Sequence, residues 1–167
     1  MSETYGNDTY DKLIGLLDEH GAVYRVIEHA AQGATEEVSA LRGNTLRQAA
    51  KCIVVMVKTG KKTKRYALAV VPGDRRVDLG ALKALWGGTY AGFATPEVAE
   101  RLAGSVSGTI LPFSFDPELE LVVDPVLLAE EEIFFNAARL DRSLALRTAD
   151  YQTVAGPRTA PISQPAV

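Results

Sequence analysis

Apolar residues along the chain fall into short runs separated by polar turns, and the run Ala49-Ala50-Lys51-Cys52-Ile53-Val54-Val55-Met56-Val57 has one charged member. Its β-branched, almost uninterrupted apolar character predicts a central strand covered on both faces. A second run at 65–71 follows across Thr59-Gly60-Lys61-Lys62, so the pair predicts an antiparallel hairpin with a basic tip. Segments 23–29, 90–93, 119–123, 133–136 and 143–147 predict further strands. Helical spacing of Leu13, Leu16 and Leu17, with Asp8 as cap and Gly21 as stop, predicts a first helix. Thr35 as cap with Glu36 and Glu37 predicts a second, with Val38 and Leu41 facing inward and Gly43 closing it. Asp78 ahead of Leu79, Leu82 and Leu85 predicts a third, and Thr95-Pro96-Glu97 opens a fourth that carries Val98 and Leu102 inward and ends at Gly104. From Gly156 onward the pattern has no period, which predicts a flexible C-terminal tail over 156–167.

A chain of 167 residues, 47% hydrophobic, is long enough for one well-filled core, so a single α+β domain over 1–155 is expected. The net charge of −3 excludes a generally basic nucleic-acid coat and leaves room for a local basic patch. One cysteine makes no internal disulfide, and two histidines at no ligand spacing predict no metal site and no cofactor. With no apolar run of membrane-spanning length and no basic-then-apolar leader, a cytoplasmic location is expected.

Candidate chemistry begins with Lys51. An ammonium among apolar neighbours must find an anionic or carbonyl partner, lose its proton, or reach water, and the sequence leaves open a solvated head or a pocket that holds ligand. Cys52 beside it is expected to be a buried core thiol. The segment Gly104-Ser105-Val106-Ser107-Gly108-Thr109-Ile110-Leu111-Pro112 alternates glycines with small polar and branched residues, the composition of a loop whose main chain can approach a ligand closely.

In order along the chain, Ala50-Lys51-Cys52, Val71-Pro72-Gly73-Asp74-Arg75-Arg76-Val77-Asp78-Leu79, Ala94-Thr95-Pro96-Glu97, Gly108-Thr109-Ile110-Leu111-Pro112 and Val123-Asp124-Pro125 resemble the YbaK/ProX-type aminoacyl-tRNA deacylases. These are relatives of the editing insertion of bacterial prolyl-tRNA synthetase. The stretches 20–29, 112–115 and 135–143 are most similar to the YeaK-like branch, which is associated with clearing serine and other small amino acids from the wrong tRNA. The resemblance implies a mixed, barrel-like β-sheet surrounded by helices, and a trans-editing hydrolase acting on mischarged tRNA. It matches the family's strand lysine to Lys51 and its Gly-x-x-x-Pro loop to Gly108 through Pro112. A synthetase is an implied further partner. A non-catalytic aminoacyl- or nucleotide-binding module on the same fold is the competing reading.

On that reading Lys51 and Gly108 are the catalytic candidates, with main-chain amides of the glycine loop receiving the oxyanion. His29, Ser107, Thr109, Ile110, Leu111, Pro112 and Asn136 are the substrate-binding candidates. The ester is already activated, and the family's chemistry implies that the vicinal 2′-hydroxyl of the terminal ribose assists attack. Lys61, Lys62, Lys64, Arg75 and Arg76 form the expected basic contact for the tRNA acceptor end.

Overall fold

The computed structural model describes residues 2–166, with side chains from Asp8 onward. Strand β2 (Ala50–Lys58) lies inside a five-stranded sheet, flanked by β3 (Lys64–Pro72) and β5 (Tyr90–Phe93), and beyond β3 come β6 (Leu119–Val123) and β9 (Arg158–Thr159). The expected hairpin is present, with β2 and β3 antiparallel and Ala50 opposite Pro72. β6 runs parallel to β3, and β9 parallel to β6. A second, three-stranded sheet orders β1 (Tyr24–Glu28), β8 (Arg142–Arg147) and β7 (Glu132–Asn136), all antiparallel. One bridge between Ala49 and Phe134 ties it to the start of β2. The expected barrel-like arrangement is thus open, two principal sheets meeting at one corner in a single α+β domain.

Alternation along β2 supplies two cores. Ala50, Cys52 and Val54 pack into the larger one, with Leu13, Leu17, Phe113, Phe135 and Tyr151. Ile53, Val55 and Val57 pack into a smaller one with Leu82 and Ile162. This is the two-sided burial that its unbroken apolar composition predicts.

Local capping decides most helix positions. In α3 (Leu79–Leu85) the Asp78 carboxylate accepts from the Ala81 amide, and in α4 (Pro96–Ala103) the Thr95 hydroxyl accepts from Val98. Two expected caps are displaced. Helix α1 spans Ser2–Glu19, so Asp8 lies inside it. Helix α2 (Thr35–Arg42) is preceded by Ala34, and Thr35 is its first residue, with no side-chain cap. Leu41, expected inward, is exposed, whereas Val38 is buried. A fifth helix, α5 (Thr148–Ala155), lies where the sequence predicts none, because its residues show little amphipathic pattern. The buried Tyr151 sets its ring edge-on to Phe113, 5.2 Å between centroids, and its hydroxyl donates to the Pro112 carbonyl at 2.7 Å.

The C-terminal segment differs most from expectation. Instead of a loose tail, it contributes β9 to the large sheet, and β10 (Ser163–Pro165) pairs antiparallel with β4 (Arg75–Val77), with Ile162 fully buried between them in sequence. Its anchor is the buried Asp124, whose Oδ2 accepts from the Ile162 amide at 2.9 Å and from the Ser163 hydroxyl at 2.8 Å, while Oδ1 accepts from the Val126 amide. Strands of two or three residues punctuated by prolines carry no readable period, so only the carboxylate betrays the attachment. Asp124→Ala removes hydrogen bonds to a charged group, each worth about 1.5–3 kcal/mol. Urea unfolding is expected to show a stability loss of at least about 2 kcal/mol, with amide exchange accelerated first at 158–165.

Candidate active site

Where β2 begins, three chain segments converge. The β3–β4 turn folds back over the start of β2 because the Gly73 amide donates to the carbonyls of Leu46 (3.0 Å) and Ala49 (2.9 Å). A Cβ on Gly73 would meet the Leu46 carbonyl oxygen at 2.7 Å, so the Pro72-Gly73-Asp74 turn needs glycine for this approach. It thereby brings the Arg75 carbonyl to Lys51, whose Nζ donates to it at 2.5 Å. Lys51 is half-buried. Desolvation lowers its pKa, and the nearby Asp74 carboxylate partly restores it.

Beside Lys51 lies a small cavity of about 70 Å³, walled by Gly33, Arg42, Lys51, Cys52, Gly108 and Asn136. Thr35, Val38 and Ile110 complete its lining, so the wall holds two cations and no carboxylate. Gly108, at φ +89°, packs directly on Gly33, where a Cβ would come within 3.2 Å of the Gly33 Cα. Two glycines in contact let the 30–34 and 104–112 loops meet at the cavity.

The rest of the glycine loop is turned elsewhere. The Ser107 amide and hydroxyl both donate to Glu100 Oε2 at 3.0 Å. The Thr109 amide and hydroxyl both donate to the Val106 carbonyl, and Thr109 is buried. Leu111 and Pro112 are core residues, the latter fixed by Tyr151. Of the expected loop contacts, Gly108 and Ile110 line the cavity, and Ser107, Thr109, Leu111 and Pro112 do not. Among the described residues the amides of Gly108 and Ile110 have no intramolecular acceptor.

Asn136 is on the wall as expected. Its Nδ2 donates to the carbonyls of Gln32 and Arg139, both at 3.0 Å, which leaves Oδ1 toward Arg42 Nη1 at 3.5 Å. His29 stands behind the wall. Its Nδ1 donates to the Ala30 carbonyl at 2.8 Å, so Nε2 accepts from the Ser143 hydroxyl at 2.7 Å, and Ser143 Oγ in turn accepts from Arg42 Nη1 at 3.2 Å. Arg42 and Ser143 escaped the sequence reading. The one reads as a helix-terminal cation and the other as a strand residue, and only the tertiary fold brings them together across 101 positions. Cys52 also lines the cavity while packing on the larger core, and burial pushes its thiol far above the usual range, which removes a thiolate nucleophile.

The expected basic contact divides in two. Lys61, Lys62 and Lys64 are exposed at the hairpin tip, seven or more residues along β2 from Lys51, roughly 23 Å at 3.3 Å per residue. Arg75 and Arg76 belong to the Lys51 end, and Arg75 is committed to Ser163 through Nε (2.7 Å to Oγ) and Nη2 (3.2 Å to the carbonyl).

The family model of the aminoacyl-tRNA editing domain matches residues 29–154, a span containing every residue of this cavity. The chain belongs to that family. It is 44% identical over 153 residues to the multifunctional Ser/Thr-tRNA deacylase ProXp-y of Escherichia coli K12, covering 91% of each, and matches the O157:H7 protein equally. Among solved structures it superposes on a hypothetical protein with a TM-score of 0.81 at 22% identity, covering 92% of this chain and 99% of the other. A candidate trans-editing enzyme for prolyl-tRNA synthetase superposes with a TM-score of 0.76 at 23% identity, covering 93% and 97%. These two likenesses establish the editing-domain fold.

Within this editing domain the Gly33–Gly108 contact fixes the loop by steric necessity. Gly108→Ala places a side chain in left-handed backbone, a strain of about 1–2 kcal/mol, against main chain that has no flexible end to yield. Turnover is expected to fall about tenfold, whereas Ser107→Ala, away from the cavity, stays within about twofold in the same single-turnover assay.

Proposed function

We propose that this chain is a trans-editing deacylase that hydrolyses the ester of a tRNA mischarged with serine or threonine. The observation that carries this reading is a small, doubly cationic, carboxylate-free cavity beside a glycine contact, in a chain 44% identical to a Ser/Thr-tRNA deacylase. At about 70 Å³ the cavity is well below the roughly 300 Å³ of an ordinary small-molecule pocket, which suits entry of the aminoacyl end with the terminal adenosine outside.

Hydrolysis of an ester needs a positioned water and stabilisation of negative charge on the carbonyl oxygen. The wall carries neither a carboxylate nor a histidine, so its residues orient and polarise the ester. Lys51 supplies positive charge to the carbonyl oxygen or the adjoining phosphate, and the unpaired amides of Gly108 and Ile110 are the donors for the developing oxyanion. The substrate's own vicinal hydroxyl relays the proton, accepting from the attacking water as it passes its own proton to the ribose oxygen that leaves. The exposed lysines of the hairpin tip meet the acceptor arm, and a synthetase that generates the mischarged tRNA is the natural supplier of substrate.

Deacylation measured over tRNAs charged with serine, threonine, alanine and cysteine tests the reading. Serine and threonine esters should turn over fastest, and Lys51→Ala should lose about 10²–10³-fold, the cost of deleting one charge-stabilising donor. Binding of charged tRNA without turnover on any of the four would instead support the non-catalytic module.

The pH dependence separates the roles of Lys51. As a cation, Lys51 is active below its lowered pKa, and activity is lost as pH rises through it. Removing the Asp74 charge lowers that pKa further, so Asp74→Asn should move the alkaline limb to lower pH after subtraction of spontaneous hydrolysis. A gain of activity at that pH would make Lys51 a base.

Lys61→Glu with Lys62→Glu should raise KM and flatten its salt dependence, with kcat unchanged. Wild-type salt dependence in this variant would remove the tip from the interface.

A further inference from the structure

The cavity wall holds two cations and no carboxylate, and one of the cations is unexplained by the fold. Arg42 closes α2, where a cation suits the helix dipole. Its side chain nevertheless leaves the helix end and reaches across to the three-stranded sheet. There Nη1 donates to Ser143 Oγ at 3.2 Å and Asn136 Oδ1 at 3.5 Å, while Nη2 donates to Ser39 Oγ at 3.4 Å and Nε to Asn44 Oδ1 at 2.9 Å. Every acceptor is neutral, and two of the four bonds, to Asn136 and Ser39, are long. The ion pairs among the described residues use Arg25, Arg47, Arg65, Arg139 and Arg142, and none uses Arg42. Burial lowers its pKa to about 10. A desolvated guanidinium held by four neutral oxygens is rigidly placed and incompletely compensated, and bound negative charge would complete it.

We propose that Arg42 is a second cation of the reaction site, which with Lys51 holds the negative charge on the carbonyl oxygens of the amino acid as its ester is hydrolysed. This deepens the deacylase reading and rests on it. Water oxygen adds to the carbonyl carbon, and the bond from that carbon to the ribose oxygen breaks. The ribose oxygen takes a proton, and the amino acid leaves as its carboxylate with one proton released to solvent. Each stage after attack places charge on oxygens bonded to the carbonyl carbon, and a guanidinium fork matches a carboxylate with two parallel donors. The same cation repels the α-ammonium, so the aminoacyl group enters carbonyl side first. The cavity's size favours this source of negative charge over the phosphate of the terminal adenosine. Ser143 and His29, which touch Arg42 in series, are positioning residues.

The test is calorimetric binding of four probes to the full chain: L-serine, L-serinamide, adenosine 5′-monophosphate and adenosine. Wild-type protein should bind L-serine at least about tenfold tighter than L-serinamide, which lacks the carboxylate. Arg42→Met should cut that preference to the part Lys51 alone supplies, and Arg42→Lys should retain more of it, while the preference for the monophosphate over adenosine is unchanged in both. In single-turnover kinetics Arg42→Met should lower kcat with KM for charged tRNA held. Equal or undetectable binding of serine and serinamide by wild type overturns the proposal, even if the variants fail to fold. So does a serine preference that Arg42→Met leaves undiminished, or loss of the monophosphate preference in its place. Failure of the deacylase reading would look different: a wild-type protein that prefers serine to serinamide yet releases none from charged tRNA.

Discussion

A strand buried on both faces can accept a charged residue only at its end, where the sheet stops and another segment can meet the head group. Lys51 occupies that position on β2. The carbonyl of Arg75 satisfies its ammonium, and that carbonyl is in place because the Gly73 turn closes over the beginning of the strand. The hairpin register, the tight turn and the charge are therefore one arrangement. Without the turn, the lysine would have to leave the cavity for water, and with a bulkier turn residue the carbonyl would not reach it.

Around this arrangement the polar groups that line the cavity are held in place by the folding of the chain. The loop bearing Gly108 is held on its far side by Glu100, Val106 and Tyr151, partners that draw the other loop groups away and leave two amides uncommitted. On the opposite wall Asn136, Ser143 and His29 hold Arg42 through hydrogen bonds that run in one direction. In the proposed deacylation such groups need no reorganisation when charge develops, and low exposure to solvent strengthens what they do.

What could be read from the amino-acid sequence was what is encoded locally. The caps at Asp78 and Thr95, the left-handed glycines at 43 and 104 and the β2–β3 hairpin each depend on a few neighbouring residues, and each is found. Thr35 shows the limit of that logic, since a capping residue type one place inside the helix has no cap to make. Lys51, Gly108 and Asn136 were expected at one site through family likeness, and they line the same cavity. Arg42 and Ser143 were not, because their meaning arises from contact between a helix end and a strand a hundred residues away. The position of Ser107, Thr109 and Pro112 away from the cavity wall has a similar cause: their partners lie on α4, within the loop and on α5, and nothing in the loop's composition says which side faces inward.

The last strand gives the lysine an unexpected dependency. Ser163 is gripped by Asp124 on one side and by the Arg75 guanidinium on the other, and the main chain of that same arginine supplies the oxygen that anchors Lys51. Force applied at the carboxyl terminus is therefore transmitted to the Lys51 end of β2 through the side chains of Ser163, Arg75 and Lys51. A purification handle or fusion partner appended there would load this strut directly.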